Sequence, residues 1–191
     1  AMIPLYHAPD SRSNTIVSLI DAMGIRDKID IVEVTIPRQD GSGGPDPKNP
    51  HPEGKVPYLV NGDDHIRERG AIITYLTELF PESGLGREVG DPKRGEYLSW
   101  LFYYQGVLEP VILLDYLKID DPVLNATFRD YDTVLKRLEE ALANGPFLLG
   151  EDFSAADVLC VSPFMFFGEG LRRSAVIDDW IKRCAAKLGA A

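Results

Sequence analysis

Cysteine is scarce, with only Cys160 and Cys184 in a chain of 191 residues. Neither belongs to a CxxC pair or to a metal-ligand spacing, which argues against a dithiol redox centre and a structural zinc site. Both fall in apolar helical patterns, the pattern of buried thiols in a reducing compartment. Histidine is equally thin. His7, His51 and His65 are dispersed along the chain, so no metal is assigned. No apolar run approaches the roughly 20 residues that a bilayer span requires, so no membrane role is expected. The opening Ala1-Met2-Ile3-Pro4 has no basic stretch and no long apolar one, so no signal peptide is expected, and the expected location is cytoplasmic. Positive charge is also short: 20 basic residues face 30 acidic ones, for a formal charge of -10. Such a surface repels polyanions on average, so a nucleic-acid partner is not expected. An anionic small molecule would need a local basic cluster.

What is present is strong local patterning. Ile3 to Tyr6 is a strand candidate. Ser11 and Ser13 precede apolar positions Ile16, Leu19, Ile20 and Met23, spaced as on one helix face, and Gly24 stands where helices end. The β-branched stretch 30–36 reads as a second strand. Residues 37–54 hold Pro37, Pro45, Pro47, Pro50 and Pro52 with four glycines, so they form a loop with at most one helical turn. Tyr58 to Val60 and His65 to Arg67 make a hairpin around Asn61-Gly62, and 70–80 reads as a helix that turns Ile72, Ile73, Leu76 and Phe80 to a core. The order β-α-β, loop, β-β-α implies a mixed sheet with helices on its faces. From Asp91 onward the pattern is wholly helical. One helix opens at Asp91-Pro92 and runs past Leu108, a second covers 125–143, and two more cover 154–167 and 176–188. The expected organisation is an α/β domain over 1–81, a linker over 82–90 and an all-α domain over 91–191.

Four segments carry chemistry or its scaffolding. In Gly54-Lys55-Val56-Pro57-Tyr58, a proline enters a strand directly from a loop, a place where cis peptides occur. Backbone turned outward there can pair with an extended peptide, and Lys55 can hold a carboxylate. In Arg67-Glu68-Arg69-Gly70, a strand end opens a helix. Backbone N–H groups there attract a carboxylate and Glu68 can hold an ammonium, which together suit the zwitterionic end of an amino acid. In Asp10-Ser11-Arg12-Ser13, hydroxyls at a helix start can donate to a thiolate, although one of the two serines serves equally as the helix cap. In Phe153-Ser154-Ala-Ala-Asp157-Val158, Ser154 and Asp157 form a capping box inside a hydrophobic staple, a purely structural device.

In this order and spacing the four segments resemble the glutathione transferase superfamily across nearly the whole chain. The resemblance implies a thioredoxin-like N-terminal domain, an all-helical C-terminal bundle and glutathione as co-substrate. Val56-Pro57 looks like the family's cis-proline motif and Glu68 like the acidic half of its Glu-Ser γ-glutamyl site. Ser154 and Asp157 match its buried capping box. The resemblance further implies that Val56 pairs with the cysteinyl part of glutathione, that Lys55 takes the glycyl carboxylate, and that Glu68 with residue 69 holds the γ-glutamyl end. Ser11 aligns best with the activating hydroxyl of serine-type members, with Ser13 in reserve. Arg12 is grouped with the glutathione-binding residues and falls where beta-class bacterial enzymes carry cysteine, which argues against mixed-disulfide chemistry of that kind.

Two departures from the family pattern stand out. Position 69 is Arg instead of Ser, so Arg69 either replaces the hydroxyl with a charge-assisted bond or points away. The helical domain is short, so the electrophile pocket is expected to be open. Tyr97, Trp100 and Tyr104 are its candidate lining, at a helical spacing that suits a core stripe as well as a pocket wall. The reading is a homodimeric glutathione transferase acting on an apolar electrophile. Its alternatives are a glutathione-dependent peroxidase or disulfide reductase, and a non-catalytic binding module of the same fold.

Overall fold

In the computed structural model, which describes residues 1–189, the chain divides into two compact units, one ending at Gly84 and one beginning at Leu85. The first is built around β1 (Ile3–His7). Its one fully buried residue is Leu5. It pairs in parallel with β2 (Ile29–Glu33), from Ile3 opposite Ile29 to His7 opposite Glu33. On its other edge it pairs antiparallel with β3 (Tyr58–Asn61), which pairs antiparallel with β4 (Asp64–Arg67). The four-stranded order is β2-β1-β3-β4.

Between β1 and β2 runs α1 (Ser13–Met23), which buries Ile16, Leu19, Ile20 and Met23. It ends on Gly24 at φ 71°, where the glycine N–H reaches the carbonyls of Ile20 and Asp21. A side chain in that left-handed conformation is disfavoured, which is why glycine terminates the helix. After β4, α2 (Arg69–Leu79) buries Ile72, Ile73 and Leu76. Phe80 lies one residue past the helix and is only half-buried, so it is not the core residue that helical spacing suggests.

The second strand is shorter than its β-branched run. It stops at Glu33, and the Val34 N–H makes the last bond to β1, at His7 O, 2.8 Å. The partner strand has ended there, and Pro9 two residues on has no N–H to continue a ladder. The hairpin turn is also one residue later than Asn-Gly patterning suggests. Asn61 pairs with Asp64, so the turn residues are Gly62 and Asp63, with Gly62 at φ 62°.

The second unit is helical. It contains α3 (Arg94–Tyr103), a π-helical turn over Tyr104–Leu108, α4 (Glu109–Tyr116), α5 (Pro122–Phe128), α6 (Tyr131–Leu142), α7 (Ala155–Phe167) and α8 (Ala175–Lys187). The first helix begins at Arg94, not at Asp91, whose carboxylate instead accepts the Lys93 N–H at 2.8 Å. The apolar spacing over 125–143 suggests one helix, but the chain breaks it at Arg129, φ 87° and ψ 169°. The cause lies in the next residue. Asp130 is extended and its carboxylate accepts the Thr133 N–H at 2.8 Å, so it caps a new helix in place of continuing the old one.

The capping box forms as expected, with Ser154 accepting the Ala156 N–H at 3.2 Å and Asp157 accepting the Ser154 N–H at 3.0 Å. Asp157 does more than cap. Its other carboxylate oxygen accepts the Leu148 N–H at 2.9 Å and the Trp180 indole N–H at 3.0 Å. One buried carboxylate thus ties the 147–150 turn, the start of α7 and the middle of α8. Burial pushes its pKa up, while these hydrogen bonds to the ionised form pull the other way.

Candidate functional site

Strand register assembles the site. Tyr6 stands opposite Tyr58, and Tyr58 opposite Arg67. The exit of β1, the entry of β3 and the exit of β4 therefore lie side by side at one end of three adjacent strands. At roughly 4.8 Å per strand, the three chain segments beyond that edge span about 10 Å. That is the length of an extended tripeptide, at about 3.3 Å per residue.

At the exit of β1 the chain turns through Pro9 and Asp10, the latter at φ 57°. Arg38, in the long loop, holds this turn by donating to the carbonyls of Pro9 and Asp10 at 2.6 and 2.9 Å. Ser11 then starts the helix. Its carbonyl accepts the Asn14 N–H at 3.0 Å and its hydroxyl oxygen accepts the Ser13 N–H at 3.2 Å, while Arg12 takes the cap position without a side-chain bond. Ser11 is partly exposed, Ser13 is fully buried, and Arg12 between them is exposed. The two hydroxyl oxygens are 2.8 Å apart. Behind them, Ser13 Oγ accepts the Ala8 N–H at 3.1 Å and lies 2.7 Å from His7 Nδ1. Burial lowers the His7 pKa, partly offset by Glu33 and reinforced by Arg26.

The entry to β3 is the Val56–Pro57 peptide, which is cis, in line with the sequence reading. The loop before it is held by its own polar side chains. Asn49 donates to Lys55 O at 3.0 Å and accepts the His51 N–H at 3.1 Å, and His51 Nδ1 accepts the Glu53 N–H at 2.9 Å. His51 packs on Tyr58 with ring centroids 5.1 Å apart, and its pKa is lowered by burial. Lys55 is exposed. No hydrogen bond within the described residues engages the Val56 N–H or carbonyl, so this backbone edge is open to an incoming strand.

At the exit of β4, Glu68 is exposed and adopts φ 75°, ψ 129°, a conformation that L-residues adopt only under constraint. Its carbonyl accepts the Ile72 N–H at 2.9 Å and so starts α2. Arg69 follows, buried, with Nη1 donating to Thr15 Oγ1 on α1 at 3.0 Å. Of the two dispositions open to Arg69, its guanidinium takes the inward one.

Three residues escaped the sequence reading. His7, Thr15 and Arg38 each act on a partner that is distant along the sequence or reached across a turn, and no local spacing marks them. The aromatic set Tyr97, Trp100 and Tyr104 is buried in α3 and the turn after it, at the spacing of a core stripe. The Arg137 guanidinium lies 5.2 Å from the Trp100 ring centroid. A surface cavity of about 490 Å³ in the same unit has a mixed lining, with Lys93, Glu96, Arg137 and Glu140 beside Leu148 and Leu149. Among the described residues no cluster of histidine, cysteine and carboxylate side chains could hold a metal, and no helix is long and apolar enough to cross a membrane.

Comparison with known proteins agrees with this geometry. The family described as "Glutathione S-transferase, N-terminal domain" matches residues 5–84. Glutathione S-transferase F14 of Arabidopsis thaliana is 31% identical over 124 residues, covering 59% of this chain and 49% of its own length. The chain thus spans about half of that relative. Disulfide-bond oxidoreductase YfcG of Escherichia coli is 27% identical over 175 residues, 83% of this chain and 77% of its own. Among solved structures, a glutathione transferase from Methylococcus capsulatus superposes with a TM-score of 0.73 at 25% identity, covering 99% of this chain and 96% of that one.

Proposed function

Because this chain is a member of the glutathione S-transferase superfamily, we propose that it binds glutathione along the strand-end edge of its N-terminal unit and ionises the thiol for attack on an apolar electrophile. The observation that carries this reading is the open Val56 backbone edge lying between the Ser11 hydroxyl and Glu68. The cysteinyl residue pairs with Val56 as an added strand. That pairing directs the γ-glutamyl ammonium to Glu68 and its carboxylate to the backbone at the start of α2. Lys55 meets the glycyl carboxylate.

The thiol then faces Ser11 at the positive end of α1. Lowering its pKa by about two units requires about 2.7 kcal/mol of preference for the thiolate. One charge-assisted hydrogen bond supplies roughly 1.5–3 kcal/mol and a helix terminus a further 0.3–1 kcal/mol, so the two together suffice. Ser11 is favoured over Ser13 because Ser13 is fully buried. The reading includes a homodimer.

A second reading draws on the oxidoreductase relative, which matches more of this chain than the transferase does. The same thiolate would attack a disulfide or peroxide in place of a carbon centre.

Titration calorimetry with reduced glutathione, followed by turnover of an aryl halide, a disulfide and an organic peroxide, separates these readings. Micromolar-to-millimolar binding with aryl-halide turnover that Ser11→Ala abolishes supports the first. Turnover of disulfide or peroxide alone supports the second. Undetectable binding at several millimolar removes both and leaves a non-catalytic module.

A further inference from the structure

The hydrogen bonds around Ser13 link the Ser11 hydroxyl to the His7 ring. Ser13 Oγ has two acceptor sites and one hydrogen. It accepts the Ala8 N–H at 3.1 Å, and Ser11 Oγ lies 2.8 Å away, where either hydroxyl can donate to the other. The one Ser13 hydrogen has His7 Nδ1 at 2.7 Å, Ser11 Oγ at 2.8 Å and Ala8 O at 3.1 Å within reach, and His7 Nδ1 is the nearest. Ser11 itself donates to Ala8 O at 2.7 Å. A rotation about its Cβ–Oγ bond moves that hydrogen to Ser13. Three groups thus form a continuous chain from the surface to a half-buried imidazole, with Ser13 wholly shielded from water.

We propose that His7 is the terminal proton acceptor for the bound thiol, acting only through the Ser13 and Ser11 hydroxyls. This rests on the reading that glutathione presents its thiol to Ser11. In the step, Ser11 Oγ takes the thiol proton and passes its own to Ser13 Oγ, which passes its own to His7 Nδ1. Each serine ends as it began, the sulfur loses one proton and the imidazole gains it. No charge leaves the site. His7 touches no glutathione atom.

The surroundings of His7 act differently on the two ends of the step. Before binding, burial lowers the pKa of the ring and so favours its neutral form, whose Nε2–H tautomer, the one the relay uses, leaves Nδ1 to accept. After transfer the imidazolium faces Glu33, its register partner on β2, and the new thiolate beyond the serines. Burial, the largest influence on the ring, and Arg26, in the turn before β2, both disfavour the imidazolium, so Glu33 and the new thiolate must together offset them.

The proton count tests this. Thiolate formed on adding glutathione at neutral pH is measured by ultraviolet absorbance. Protons released are measured by calorimetry in buffers of different ionisation enthalpy. Wild type should release fewer than about half a proton per thiolate, because His7 retains it. His7→Phe, which has no acceptor, and His7→Asn, which can accept a hydrogen bond but takes no proton, should each release about one proton per thiolate and form roughly tenfold less thiolate. A simple positioning role would be rescued by Asn; proton acceptance would not. On the wild-type protein, nitrogen NMR should show Nδ1 become protonated when glutathione binds. An unprotonated Nδ1 in the complex, or equal proton release in wild type and both variants, overturns the relay. Ser11→Ala keeps the two claims apart. If it forms thiolate as wild type does, the Ser11 reading falls and the relay with it. If it loses thiolate while the His7 variants match wild type, only the relay falls.

Discussion

Arg69 Nη1 donates to Thr15 Oγ1 at 3.0 Å, joining the first turn of α2 to the first turn of α1 inside the N-terminal unit. The two helix starts that flank the strand-end edge are therefore held by a buried charge-assisted bond. A guanidinium so engaged is part of the scaffold. Arg69→Ala should lower the unfolding free energy by about 2 kcal/mol. Glutathione affinity, measured well below the melting temperature, should change less than about threefold (under 0.7 kcal/mol). Denaturant melts and calorimetry on the same preparation check both halves. A tenfold loss of affinity at unchanged stability would show that the side chain binds the ligand directly.

Glu68 carries the opposite trade. Its φ of 75° and ψ of 129° are costly for a side chain and easy for glycine. Glu68→Gly should raise stability by about 1 kcal/mol, the relief of strain less the entropy glycine loses. Glutathione affinity should fall about tenfold through loss of the ammonium contact. Thermal unfolding and calorimetry should move in opposite directions.

Asp157 is fully buried and satisfies three donors from three places in the sequence: Leu148 N–H, Ser154 N–H and the Trp180 indole. Asp157→Asn turns one oxygen into a donor that faces another donor. The helical unit should lose about 3 kcal/mol. The unfolding transition followed by Trp180 fluorescence should shift accordingly, and an unshifted midpoint would remove Asp157 from the role of keystone.

Tyr131 gives a pH dependence with a definite sign. Its hydroxyl donates to Arg172 O at 2.6 Å, and burial pushes its pKa up from an ordinary 10 to about 12. The folded state favours the protonated phenol, so this stabilisation is complete below pH 10 and is lost as pH rises from 10 to about 12. Over that interval wild type should lose stability more steeply than Tyr131→Phe, as read by melts at stepped alkaline pH. Parallel slopes for the two proteins would refute the assignment.

Much of the fold is local and was legible in the sequence. Helix faces follow from apolar spacing, Gly24 and the Ser154–Asp157 box from cap chemistry, and the Val56–Pro57 junction from a proline entering a strand. Each depends on residues within a few positions of one another. The misplaced boundaries arose where a local pattern met a competing partner. β2 ended early because β1 had ended, and the helix over 125–143 broke because Asp130 could cap a new one.

The sequence by itself determined which residue types were available to the proposed glutathione site: Ser11, Lys55, Val56 and Glu68, each at the end of a recognisable element. Only the tertiary structure decided that these ends share one edge, because strand order and register are set by pairing between segments as far apart as Leu5 and Leu59. It also decided the use of His7, Thr15 and Arg69. A side chain's hydrogen-bond partner is fixed by direction and distance in space, and neither is encoded in the spacing of its neighbours along the chain.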